Sequence, residues 1–178
     1  MKKALSYSVL LLLLWACNNE GTKTDTAGAD TTVKAELNLP FKALYSSNFT
    51  DDVSDADLVT VMNSYKDWAD GNMSGVEASL ADSVEYTASS GRTKTFSRAE
   101  LTNLWKTYRD SLSSVKIEMY AWRKMYAADL KESNVVTWYK EISTYKDGRV
   151  DSAMYHDING VKNGKIEWYN SMKRPYVK

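Results

Sequence analysis

The sequence predicts an α+β fold, with helices first and four long antiparallel strands after them. Three observations carry this. Apolar residues recur at helical spacing from Leu58 to Leu112, interrupted by short strand segments. From Val115 to Met172 they alternate instead. Asp147-Gly148 and Asn163-Gly164 then mark hairpin turns inside that second half. About three N-terminal helices must cover one face of a strongly curved antiparallel β-sheet. The result is a cone with a cavity between sheet and helices.

In chain order, Ser54 or Asp55 can cap a helix beginning near Ala56, with Leu58, Val61, Met62, Tyr65, Trp68 and Ala69 on one face. Asp70-Gly71-Asn72 ends it, and Gly71 suits a left-handed C-cap. A short second helix is predicted over about 73–81, presenting Val76 and Leu80. Residues 82–86 alternate and read as a strand, and 93–96 as a shorter one. Ser97-Arg98-Ala99-Glu100 is a capping-box pattern opening a third helix with Leu101, Leu104, Trp105, Tyr108 and Leu112. Strands are then predicted over 115–127, 134–146, 150–159 and 165–172.

The N-terminus carries a different signal. Met1-Lys2-Lys3 is followed by an apolar run ending in five leucines, then Trp15-Ala16-Cys17. The run from Ala4 to Ala16 is shorter than the roughly 20 residues that span a bilayer core. It reads as a secretion leader. Leu14-Trp15-Ala16-Cys17 resembles a lipobox, the tetrapeptide of bacterial lipoproteins, although Trp15 stands where a small residue is usual. The expected product is lipidated on Cys17 and held to a membrane by its acyl chains. Asn18 is not an acidic inner-membrane retention signal, so the cell envelope and its outer membrane are the expected location, on either face. Residues 1–16 are the leader. Residues 17–55 hold Cys17, a polar tether and an arm with Leu37, Leu39, Phe41, Leu44, Tyr45 and Phe49. Residues 56–178 form the folded domain.

Composition narrows the classes. The leader takes Lys2 and Lys3 out of 23 basic residues, leaving a mature chain with a net charge of about −2. A near-neutral domain argues against a nucleic-acid partner. A single cysteine allows no internal disulfide, and with one histidine there is no zinc constellation. No phosphate-cradling glycine loop and no nucleophile elbow is present, so no metal and no cofactor is expected.

The ordered set Trp68-Ala69-Asp70-Gly71-Asn72, Leu80-Ala81-Asp82-Ser83-Val84-Glu85-Tyr86, Ser97-Arg98-Ala99-Glu100-Leu101 and Val161-Lys162-Asn163-Gly164-Lys165-Ile166 resembles the nuclear transport factor 2-like superfamily, in particular its SnoaL-like members. The resemblance covers about residues 56–174. It implies the cone fold, and it leaves function open, because that fold hosts isomerases, cyclases, dehydratases and pure binders. The isomerases of this fold use a carboxylate base with a tyrosine and a protonated acid. Matching by the turns puts Ala88 at the base position, where no proton transfer is available. Glu85 has the opposite strand parity to Tyr86 and Ala88. Ser64 falls on the tyrosine position, with Tyr65 one residue off, and His156 falls at the second acid. Related folds often dimerise through the outer sheet face. The strand around Tyr120, Trp122, Lys124 and Tyr126 is the expected homodimer interface.

His156 is therefore the candidate catalytic residue, placed by alternation on a concave face with Met154 and Ile158. Its alternative is a half-buried histidine with no chemistry. Tyr65, Trp68, Tyr86, Trp105, Trp138 and Tyr169 are the expected aromatic wall of a ligand pocket. Lys140 shares the Trp138 face and, if that face is concave, favours an anionic ligand. The same rings also describe a plain core. The leading functional expectation is a lipid-anchored accessory or binding protein for a small apolar or amphipathic molecule. The alternative is a SnoaL-like enzyme using His156 for acid–base work.

Overall fold

Ser54 ends the extended chain and starts the first helix, α1 (Asp55–Asp70), its Oγ accepting from the Asp57 backbone N–H at 3.0 Å. Gly71, at φ +77°, closes that helix in the left-handed conformation a side chain would resist. Asn72 then caps α2 (Met73–Ser79). The capping box forms as predicted at α3 (Arg98–Arg109): the Ser97 N–H donates to Glu100 Oε2 at 2.8 Å, and Ser97 Oγ accepts from the Glu100 N–H at 3.3 Å. Glu100 is held below the usual carboxylate range by the Ser97 hydroxyl, which donates to Oε2 at 2.7 Å, and by that Ser97 N–H. Leu112 is a correction. It does not end α3 but begins a strand and is 3% exposed.

The computed structural model describes residues 39–175, so Cys17, the leader and Leu37 lie outside the described residues. From Phe41 on, the described residues fold as a single unit. Its strands are β1 (Phe49–Thr50), β2 (Leu80–Thr87), β3 (Thr93–Ser97), β4 (Leu112–Ala127), β5 (Glu132–Tyr145), β6 (Val150–Lys162) and β7 (Lys165–Pro175). They form one sheet in the order β1-β4-β5-β6-β7-β2-β3. The sheet is mixed rather than purely antiparallel, since β2 runs parallel to β7. The chain crosses from β3 through α3 to the far side of the sheet. It then winds back by hairpins, and its last strand lands beside β2 in the same direction.

Part of the predicted arm joins this sheet. β1 pairs with β4, and Val53 is 2% exposed. Phe41 and Leu44 do not pack as expected, being 85% and fully exposed. The β6–β7 hairpin turns on Asn163 and Gly164, at φ +52° and +71°, the paired positive angles that an Asn-Gly turn provides.

The helices lie on the concave face, where Val61, Leu80, Val84, Leu101, Val135 and Val161 are the centre of the core. Irregularities bend and re-phase the long strands. The β4–β5 register shifts between Met119 and Ala121, at Tyr120; from Ala121 to Ala127 the pairing is regular, which sets Trp122 and Lys124 opposite the inward-facing Thr137 and Val135. Tyr120 and Trp122 are both about half exposed, at 56% and 55%. On the convex face, Trp168 lies flat against Gly160. A Cβ there would sit 1.9 Å from its Nε1.

Candidate functional site

Three neighbouring strands repeat one pattern on the concave face: Tyr139-x-Glu141 on β5, Tyr155-x-Asp157 on β6 and Tyr169-x-Ser171 on β7. Alternation turns each tyrosine and its polar partner inward. At the bottom of the cone, Asp157 is completely buried. Its Oδ2 accepts from Tyr139 at 2.7 Å, from Tyr65 of α1 at 3.0 Å and from Tyr169. Tyr65 OH is also bonded to Thr137 Oγ1 at 2.9 Å and accepts from Asn159 Nδ2 at 3.2 Å.

The network is a buried acid served by phenol donors. Burial pushes the Asp157 carboxyl above its ordinary range, while the Tyr169, Tyr139, Ser171 and Tyr65 hydroxyls pull it back. Burial and the adjacent Asp157 together hold Tyr65, Tyr139 and Tyr169 well above the usual phenol value. All three therefore stay protonated near neutral pH and remain donors.

Above this network lies a cavity of about 170 Å³, walled by helices on one side and sheet on the other. Ser64, Tyr65 and Trp68 of α1 reach it, as do Trp105 and Tyr108 of α3. The sheet contributes Tyr86, Tyr139, Glu141, Tyr155, Tyr169 and Ser171. Tyr86, Trp105 and Tyr169 pack on one another with centroids 5.8–5.9 Å apart. Trp68 stacks on Tyr108 at 6.1 Å, and Tyr139 on Tyr155 at 5.1 Å. Glu141 is fixed in this wall: Oε2 accepts from Trp68 Nε1 at 2.9 Å and Oε1 from Ser143 Oγ at 2.8 Å.

The structure brings together Tyr65, Trp68, Tyr86, Trp105 and Tyr169 of the predicted pocket. It places the other three elsewhere. His156 and Trp138 are paired across β5 and β6 and stack on the convex face, centroids 4.9 Å apart. Lys140 shares that face, 3.8 Å from Glu118. The register from Ser133 to Thr144 is unbroken, so these residues cannot face the cavity that Tyr139, Glu141 and Asp157 face. The concave side of β6 is Ala153, Tyr155, Asp157, Asn159 and Val161, not Met154, His156 and Ile158. Glu85 is exposed, as its parity requires, and Ala88 lies in the turn after β2.

Sequence reasoning missed Asp157, Tyr139, Tyr155 and Glu141. The repeated tyrosine-x-acceptor pattern on successive strands was the available signal. Among the described residues, no group of three His, Cys, Asp or Glu is placed to hold a metal ion. With protonated phenols, one wall carboxylate and apolar rings, the site can desolvate a small molecule and orient it through hydrogen bonds.

No family model matches the chain, and no curated protein matches it at the level of sequence. Solved structures do match. AusH from Aspergillus nidulans superposes with a TM-score of 0.55 at 14% identity, over 71% of this chain and 88% of that one. An LEH-like epoxide hydrolase from M. tuberculosis gives 0.56 at 12%, over 67% and 83%. A nuclear transport factor 2-like protein of unknown function from Burkholderia pseudomallei K96243 gives 0.54 at 16%, over 68% and 92%. At these identities the likeness is one of fold. The chain has the nuclear transport factor 2-like α+β cone, with three helices and an open seven-stranded sheet.

Proposed function

We propose that this chain is an envelope lipoprotein whose cone domain binds one small, largely apolar molecule carrying a polar group. The observation that supports it most is the 170 Å³ cavity with rings on both walls and Glu141 set among them. A cavity of about 150 Å³ is enough to hold a benzene ring, which puts the ligand at the single-ring scale. Burying its apolar surface supplies affinity, and the wall carboxylate and phenols supply orientation.

The lipid anchor rests on the leader and Cys17. Among the described residues, no helix is long and apolar enough to cross a membrane. An enzyme using His156 is not carried forward, because that imidazole stacks on Trp138 behind the sheet from the cavity.

Two measurements test this reading. Native mass spectrometry of the chain released from a neutral detergent is expected to show a retained small molecule, or saturable uptake of single-ring compounds. Neither being seen contradicts the binding reading. Metabolic labelling with an alkyne fatty acid is expected to mark the chain and to fail for Cys17→Ser. Equal labelling of both contradicts the anchor.

A further inference from the structure

The sequence left an anionic ligand open on the strength of Lys140. With Lys140 and His156 on the convex face, the sign of the cavity reverses. The Glu141 carboxylate forms part of the wall, and both its oxygens accept hydrogen bonds, from Trp68 and Ser143. Among the described residues, no Lys, Arg or His forms an ion pair with Glu141 or Asp157. The cations nearby are turned to other work. Arg109 donates to the carbonyls of Trp68 and Ala69 at 3.0 and 3.1 Å, closing the end of α1. Lys173 lies 5.8 Å over the Tyr155 ring and 3.5 Å from Asp151.

A carboxylate 7% exposed, with its oxygens held by Trp68 and Ser143 rather than by a cation among the described residues, is costly to bury. A neutral occupant would remove the remaining water and leave that cost in place. An anion would add repulsion in a medium that screens it poorly. A cation offsets the charge. It also meets the negative faces of the surrounding rings, the contact by which aromatic cages hold ammonium groups.

We propose that the cavity takes a compact organic cation, an ammonium bearing small alkyl groups, with Glu141 as counter-charge and the Trp68 and Tyr108 rings as its walls. This rests on the reading of the cavity as a ligand site. The cavity volume limits the cation to roughly single-ring bulk.

The test is a calorimetric titration of the whole chain in a neutral detergent at fixed ionic strength. Three probes sharing one bulky trimethyl head are compared: choline, its neutral isostere 3,3-dimethylbutan-1-ol and the smaller anion pivalate. Choline is expected to bind about tenfold or more tightly than the alcohol, and pivalate not at all. Glu141→Gln is expected to weaken choline about tenfold and to leave the alcohol within about threefold. Tyr108→Leu keeps an apolar wall and removes a ring face, so it too should weaken choline more than the alcohol. If the alcohol matches choline, or both variants weaken the two probes equally, the charge assignment is overturned while the cavity stands as a ligand site. If none of the three probes binds, the cation proposal is overturned and the ligand-site reading loses support with it.

Discussion

The two faces of one sheet divide the chemistry of this protein. The concave face of β5, β6 and β7 carries Tyr139, Glu141, Tyr155, Asp157, Tyr169 and Ser171, and it is acidic and aromatic. The convex face of the same strands carries Trp138 stacked on His156, and Lys140 lying 3.8 Å from Glu118 of β4. Neighbouring residues in sequence thus belong to opposite environments, set by a one-residue difference in parity. Aromatic content does not tell the faces apart. Hydrogen bonding does: Tyr65, Tyr139 and Tyr169 converge on a buried carboxyl, whereas Trp138 and His156 stack on one another.

Removing the centre of the inner network should break this contrast most sharply. Asp157→Ala leaves the Tyr65, Tyr139 and Tyr169 hydroxyls facing a void and is expected to cost about 3–5 kcal/mol. His156→Ala on the other face should cost about 1 kcal/mol or less, the loss of one partly exposed stacking contact. Urea denaturation of the two variants gives both numbers, and equal losses would remove the distinction between the faces. The convex side has one intolerant position of its own. Gly160→Ala must displace the Trp168 indole and is expected to cost about 1–3 kcal/mol, read as a lower thermal midpoint.

Acidity sharpens the comparison further. Asp157 has a folded-state pKa raised by burial. Its protonation therefore favours the folded state: the contribution is full below the ordinary carboxylate value and is lost as pH rises through the raised one. Relative to Asp157→Asn, the wild-type chain should gain stability on acidification through that window. Parallel stability curves for wild type and Asp157→Asn would contradict the assignment. One further small effect concerns neither face. Ser97→Ala removes one half of the capping box and should cost about 1 kcal/mol by the same denaturation assay.

Local signals made the outline legible. Ser54, Gly71, the Ser97–Glu100 box and Asn163-Gly164 each act within a few residues, so their chemistry can be read without knowing what packs above them. Leu112 was misplaced because an apolar residue one turn past Arg109 fits a helix pattern as well as a strand start. Parity failed for a different reason. Met154 and Ile158 made the His156 side of β6 look like the buried one, whereas the inner side is filled by Tyr155, Asp157 and Asn159. A polar row is buried there because Tyr65 descends from α1 to complete it, a contact across 92 residues that no local pattern contains. The parallel β2–β7 pair escaped notice likewise, since only the crossover through α3 creates it.

The most direct measurement of the account is a two-dimensional ¹⁵N–¹H spectrum of the indole groups during a choline titration. The account predicts that the Trp68 and Trp105 Nε1–H signals move with saturation while that of Trp138, behind the sheet, stays in place. Movement of Trp138 with Trp68 and Trp105 unchanged would contradict it.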